Sequence, residues 1–215
     1  CYASNHDKNP AASTNNDLWI VPVTGGPAKN ITADNPASDT SPLYSPDGRY
    51  IAYRAQQRPG YESDRFRLML YDRKTGEKKN LTEGFDGWVG SYIWWGSKWL
   101  FFVSEKDGSA RVYYTELDLV EPGVVETSLK GYDDDLAISG DNKFLVYTRM
   151  FIDAPPEIYK SPMVVVRTHH CGESSGDICS SQDPNFELTH FNNTILSQVT
   201  TSPLESFWFT GAHGD

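Results

Sequence analysis

The sequence predicts an all-β fold, a partial β-propeller of four-stranded antiparallel blades, and three observations predict it. The stretch Ser45–Tyr53 (SPDGRYIAY) reads as a tight turn followed by a strand. Its shape returns at Gly96-Ser97-Lys98 before Trp99-Leu100-Phe101-Phe102, and at Gly140-Asp141-Asn142-Lys143 before Phe144-Leu145-Val146-Tyr147. A second strand series runs in phase with it: Leu18-Trp19-Ile20-Val21, Leu68-Met69-Leu70-Tyr71, Val112-Tyr113-Tyr114-Thr115 and, more weakly, Ile158-Tyr159. Two strand types recurring together every 45–50 residues or so are the signature of propeller blades. Third, no window carries a sustained helical stripe, and 13 Pro and 17 Gly cut the chain into short pieces. An irregular β-sandwich with accidental spacing is the other architecture these runs allow.

Taken in order, residues 1–16 are polar and read as a loop leading into a strand over Asp17–Val23. A turn at Thr24–Pro27 then leads to a short edge strand ending at Ile31-Thr32. These two strands form the C–D half of a blade whose first half is absent. In the next blade, strand A lies near Ser41–Tyr44, B over Arg49–Ala55, C over Phe66–Asp72 and D over Lys78–Leu81. The turn before B has a mechanism: Pro46 presets one torsion, Asp47 bonds its own backbone, and Gly48 takes the positive φ. A further blade has strands near Tyr92–Trp95, Trp99–Ser104, Arg111–Leu117 and Val124–Ser128. The last runs through Leu136–Ile138, Lys143–Met150 and Glu157–Val166. Phe186-Glu187-Leu188-Thr189 resembles another D strand, and 204–215 (LESFWFTGAHGD) a final strand with a Gly-rich turn. In an up-and-down meander the B–C and D–A loops emerge on one face. Arg58–Arg65, Glu83–Gly90, Asp34–Thr40 and Met150–Pro156 are therefore expected to share a surface.

Composition narrows the function classes. The net charge of −10 argues against a nucleic-acid or anionic-membrane partner, and no apolar run is long enough to span a bilayer. The chain opens on Cys1 with neither Met nor a signal-type segment, so it reads as a mature or excised piece. Three sequons, at Asn30, Asn80 and Asn192, point to the secretory route. Cys171 and Cys179 are spaced to close a small loop, a bridge worth roughly 2–3 kcal/mol in the chain-entropy treatment. Cys1 is left over. The expected compartment is extracellular.

Several motifs carry chemistry on paper. Gly172-Glu173-Ser174-Ser175-Gly176 matches the nucleophile-elbow pattern, but it sits inside the cysteine loop with no helix after it, so Ser174 is not assigned as a nucleophile. His169-His170 beside Cys171 offers zinc donors, yet adjacent residues on an extended strand face opposite ways; no metal and no cofactor are expected. Asp133-Asp134-Asp135 lacks the alternating ligands and Gly turn of a calcium loop and reads as a solvated loop. Arg58–Arg65 (RPGYESDR) stands apart, with two carboxylates, two Arg and Tyr61 within one B–C loop. Glu62 and Asp64 could bind a cationic group such as a free α-amine, and an Arg could hold a carbonyl or carboxylate. Equally, these charges could form an internal network that only shapes the loop.

With SPDGRYIAY, RPGYESDR, YDRKTGEKKNLT and LESFWFTGAHGD in view, the chain resembles the propeller domain of secreted dipeptidyl peptidases of the prolyl oligopeptidase family, of the dipeptidyl peptidase V type. The likeness runs in order over nearly all of residues 16–215. It implies a propeller segment over 1–203 lacking earlier blades, and a crossover at 204–215 into an α/β-hydrolase domain not contained in this sequence. That domain would hold the Ser-Asp-His triad, so no catalytic residue is carried onto this chain. The implied role is substrate gating and anchoring of a peptide N-terminus by Glu62, with Asp64 and Arg65 orienting it and Tyr61 alongside. The partners would be a peptide substrate and the hydrolase domain. An acylaminoacyl-releasing peptidase of the same architecture, or a secreted non-enzymatic propeller, stays open as an alternative.

Overall fold

Turn chemistry repeats atom for atom between two blades, and this fixes the strand register. The computed structural model describes residues 1–118, 123–124, 131–163, 186–202, 205 and 207–212. In Ser45–Tyr50 the Ser45 hydroxyl donates to Asp47 (2.6 Å) and accepts the Tyr50 N–H (2.9 Å), while Gly48 takes φ 69°. Ser139 repeats both bonds, to Asp141 (2.6 Å) and from the Phe144 N–H (2.9 Å), with Asn142 at φ 58° in the glycine's place. Asn tolerates that left-handed region because its short amide compensates locally.

Each turn joins the first two strands of a blade. Strands β1 (Tyr2–Ser4), β2 (Asp17–Ile20) and β3 (Lys29–Asn30) form the first sheet; β4 (Asp39–Tyr44), β5 (Tyr50–Ala55), β6 (Arg67–Asp72) and β7 (Lys78–Asn80) form the second. Blade three is β8 (Tyr92–Trp95), β9 (Trp99–Lys106), β10 (Ser109–Glu116) and β11 (Gly123–Val124). Blade four is β12 (Tyr132–Ile138), β13 (Phe144–Phe151), β14 (Ala154–Pro162) and β15 (Phe186–Glu187). Every pairing within a blade is antiparallel; one parallel contact, Ala110 with Tyr132, joins blades three and four at their edges. This is the all-β propeller that the spacing predicts.

The blades stack through their flat faces. Leu18 and Ile31 meet Ile51 and Tyr53; Leu68 and Leu70 meet Leu100 and Phe102; Val112 and Tyr114 meet Leu145 and Tyr147. Side chains alternate across each strand, and the central strands β5, β6, β9 and β10 carry apolar runs on both faces. Between blades two and three, Tyr92 donates to the carbonyls of Ser41 and Ala52, and the Trp94 indole donates to Leu43 (3.2 Å).

A second repeated device closes three of the blades. A threonine after the outer strand, Thr32, Thr82 or Thr189, accepts the N–H of Leu18, Leu68 or Ile158 at 2.9, 3.0 and 2.9 Å. In two of them the preceding Asn turns back, its side-chain oxygen accepting the Thr N–H at 2.9 Å. Two of the sequons, Asn30-Ile31-Thr32 and Asn80-Leu81-Thr82, are therefore structural locks in the fold.

Three expectations need correction. Residues 1–16 are not all loop: β1 pairs with β2 through Tyr2–Trp19, Ala3–Leu18 and Ser4–Asp17, so the first sheet has three strands. β1 is only three residues, Tyr2-Ala3-Ser4, too short to show a strand pattern in sequence. Asp133 is not solvated, for β12 starts at Tyr132 and Asp133 is 2% exposed. And Met150–Pro156 is no loop, because β13 and β14 run on to a two-residue turn at Ile152-Asp153. The described part of 204–215 contains no strand, and Phe207, Trp208 and Phe209 stand largely exposed. His169, His170, Cys171, Ser174 and Cys179 lie outside the described residues, as does most of the strand expected at Val124–Ser128.

Candidate functional site: the loop between the second and third strands of blade two

Tight turns are the default between B and C strands here. Blade three uses Asp107-Gly108, both at positive φ (51° and 73°), the two-residue hairpin that matches strand twist. Blade two instead inserts residues 56–66 between β5 and β6. That insertion is built from the inside. The buried Gln56 amide donates to the carbonyls of Asp64 (2.7 Å) and Glu62 (3.0 Å), pinning both ends of the excursion. Asp64 sits beneath it, its carboxylate accepting the N–H groups of Gln57 (2.6 Å) and Arg58 (3.0 Å) and facing Arg67 at 3.3 Å. Burial alone would push this carboxyl up, but those N–H donors and the guanidinium outweigh it and hold it below the usual carboxylate range.

Neighbouring loops are tied to the insertion. Arg65 donates to the carbonyls of Phe85 and Glu83. Asn35 donates to Gln56 (2.9 Å), and the Gln56 N–H donates to Ser38 (2.9 Å). From the opposite side, the Gly60 N–H donates to Thr14 (3.0 Å). The B–C loop of blade two thus lies beside the D–A segments around Asn35 and Phe85, the arrangement the meander predicts.

Of the four residues nominated from sequence, Asp64 and Arg65 are committed to shaping the loop, while Glu62 and Tyr61 face outward. Tyr61 is 44% exposed with the Arg58 guanidinium 4.1 Å above its ring. The Glu62 carboxylate is exposed and makes no hydrogen bond or ion pair among the described residues. A braced loop that presents one unengaged carboxylate is equipped to receive a cation. Sequence reading missed Gln56 and Arg67, the residues that brace it; their signal, a polar pair flanking RPGYESDR, carries meaning only once β5 and β6 are known to be adjacent.

The amide nitrogens of the three sequon asparagines each donate to a carboxylate: Asn30 to Asp17 (2.8 Å), Asn80 to Glu83, and Asn192 to Glu157 (2.9 Å). Among the described residues no cluster of three or more His, Cys, Asp or Glu could hold a metal ion.

Asp39, at the end of the Asp34–Thr40 segment, is fully buried. One carboxylate oxygen accepts from Asn35 (2.9 Å) and the other has no partner. Burial pushes this group up to about 7, with Asn35 opposing and Asp17 adding to the rise. The folded chain therefore holds this proton far more tightly than the unfolded chain, and stability falls as pH climbs from about 4 to about 7, by roughly 4 kcal/mol at most. Asp39→Asn is expected to match the parent near pH 4 and to exceed it at pH 8, with a flatter curve between, measured by urea unfolding across pH. A variant equally or less stable at pH 8 would show that Asp39 is charged without penalty.

No family model matches the chain. In sequence it is similar to Dipeptidyl-peptidase 5 of Porphyromonas gingivalis, 31% identical over 149 residues, which are 69% of this chain and 21% of that protein. Together with the blades, this likeness supports a propeller domain of such a peptidase. The chain spans about a fifth of the length of that relative and of Dipeptidyl-peptidase 5 of Schizosaccharomyces pombe. In structure this propeller segment is similar to the acylaminoacyl peptidase of Pyrococcus horikoshii, with a TM-score of 0.64 and 17% identity over 93% of this chain and 27% of that one. The β-propeller domain of the Trilobed protease from Pyrococcus furiosus gives a TM-score of 0.51 at 18% identity over 67% of this chain and 40% of that one. At such identities the two structures speak for the fold alone.

Proposed function

We propose that this segment is the gating and substrate-anchoring propeller of a secreted serine exopeptidase that releases dipeptides from peptide N-termini. The observation that carries the reading is the unengaged Glu62 carboxylate on a loop braced by Gln56, Asp64 and Arg65, in a chain similar to dipeptidyl peptidases. A carboxylate held at a fixed place binds a free α-ammonium and sets how far along the peptide the scissile bond lies. The acyl-transfer chemistry belongs to a hydrolase domain outside this sequence, where a serine attacks the second carbonyl and a histidine moves the proton. The secreted setting rests on the sequons at Asn30, Asn80 and Asn192 and on the Cys171–Cys179 spacing. The intact protein, incubated with one peptide bearing a free N-terminus and with its N-acetylated twin, is expected to release dipeptide from the first only. Release of a single acetylated amino acid from the second would overturn the reading in favour of an acylaminoacyl peptidase.

A further inference from the structure

Beside the blade-two loop, a second polar concavity opens between blades three and four. It is a cleft of about 420 Å³ lined by Trp88, Gly90, Ser91, Val103, Ser104, Glu105, Tyr132 and Asp134. Two carboxylates converge there from different strands. Glu105, at the end of β9, accepts the Tyr132 hydroxyl at 2.6 Å; Asp134, on β12, accepts the Ser91 hydroxyl at 2.5 Å. Each keeps its second oxygen unengaged among the described residues. Their fields meet on Tyr132, whose phenol is pushed up to about 12 by its bond to Glu105, by burial and by the charges of Glu105 and Asp134.

The other walls are largely apolar. Trp88 is 40% exposed, braced edge-on by Phe66 at 5.2 Å. Val103 and Gly90 complete the apolar lining. Among the described residues, no Lys, Arg or His lines the cleft. A nearby cation, Arg54, is engaged with the backbone behind the cleft, stacked on Phe66 at 4.8 Å and donating to the carbonyls of Val89 and Gly90.

We propose that this cleft binds an organic cation on an apolar stem, the side chain of a peptide Arg or Lys. Two carboxylate oxygens receive the guanidinium or ammonium N–H groups, Trp88 takes the charge against its π face, and the stem lies on Val103. A hard metal ion is a poor match for two carboxylates already bonded to hydroxyls and faced by an indole. The net charge of −10 draws cations toward the surface before they dock. The proposal stands apart from the Glu62 anchor and from any catalytic activity.

The test is calorimetric titration of the intact protein with Nα-acetyl-argininamide, with its neutral isostere Nα-acetyl-citrullinamide, and with phenylalaninamide, whose cation is an α-ammonium. Saturable binding of the arginine probe is expected, at least about tenfold weaker for citrulline, and reduced about tenfold or more in Glu105→Gln/Asp134→Asn. Both substitutions keep the oxygen that accepts from Tyr132 or Ser91, and Trp88→Ala on the opposite, solvent-facing wall gives an independent loss. Glu62→Gln should leave arginine-probe binding unchanged. Binding of phenylalaninamide that is equally sensitive to the double variant would support the cation site and make a peptide N-terminus its source. No saturable cation binding, equal binding of citrulline, or undiminished binding by the double variant overturns it.

Discussion

Glu62→Gln in the proposed exopeptidase, as the intact protein, is expected to lower kcat/KM on peptides with a free N-terminus by about 10–100-fold. The size follows from the interaction lost. A charge-assisted hydrogen bond contributes about 1.5–3 kcal/mol, and each 1.36 kcal/mol is tenfold in rate. The amide keeps the shape of the side chain but removes the charge, and Glu62 is exposed, so the fold is not at stake. Because an anchor positions the reacting carbonyl as well as holding the substrate, kcat should fall and KM rise together. A reporter that acylates the proposed serine nucleophile without any peptide N-terminus should react as fast with the variant as with the parent. Unaltered kinetics on free peptides would sink the anchor assignment. By contrast, Asp64→Asn should act on the loop itself, because it removes a charge beneath two backbone N–H groups and beside Arg67.

Asp133→Ala is expected to cost roughly 3–5 kcal/mol of stability, because it leaves the Arg149 guanidinium charged and buried. The pair is bidentate, Nε to Oδ1 at 2.7 Å and Nη2 to Oδ2 at 3.1 Å, with side chains 3% and 2% exposed. Arg149 is further enclosed by the rings of Tyr147 and Tyr159, each 5.1 Å from its centre. For a chain of this size the melting temperature should drop by about 10 °C. Asp39 occupies the equivalent place two blades earlier, and the bulged residues Ser41 and Asp135 confirm the alignment with φ 54° and 53°. Opposite Asp39, however, the register places Ala55 where blade four has Arg149. The same carboxylate in the same fold position is thus stabilising in one blade and a pH-dependent burden in the other. Asp133→Asn should destabilise at pH 8 while Asp39→Asn stabilises. Substitutions of matching sign would break the argument.

Much of the fold was legible because propeller blades are local objects. The Ser45–Tyr50 and Ser139–Phe144 turns encode their own hydrogen bonds within six residues, and the strand runs between them are long and apolar. The candidate loop was legible for the opposite reason: RPGYESDR contains more charge than a turn needs. What the charges do was not. Sequence could not separate Asp64, spent inside the loop, from Glu62, two residues away and free of partners. Nor could it show Gln56 as the brace.

By itself, then, the sequence determined the all-β class, the blade period, the turns and the loop that departs from them, since each depends on residues close in the chain. Tertiary structure alone decided that Tyr2–Ser4 is a strand, that Asp133 meets Arg149 while Asp39 meets Ala55, and that Glu105 and Asp134 face one cleft. Those outcomes depend on register and on blade-to-blade stacking, where a shift of one residue turns every side chain to the other face.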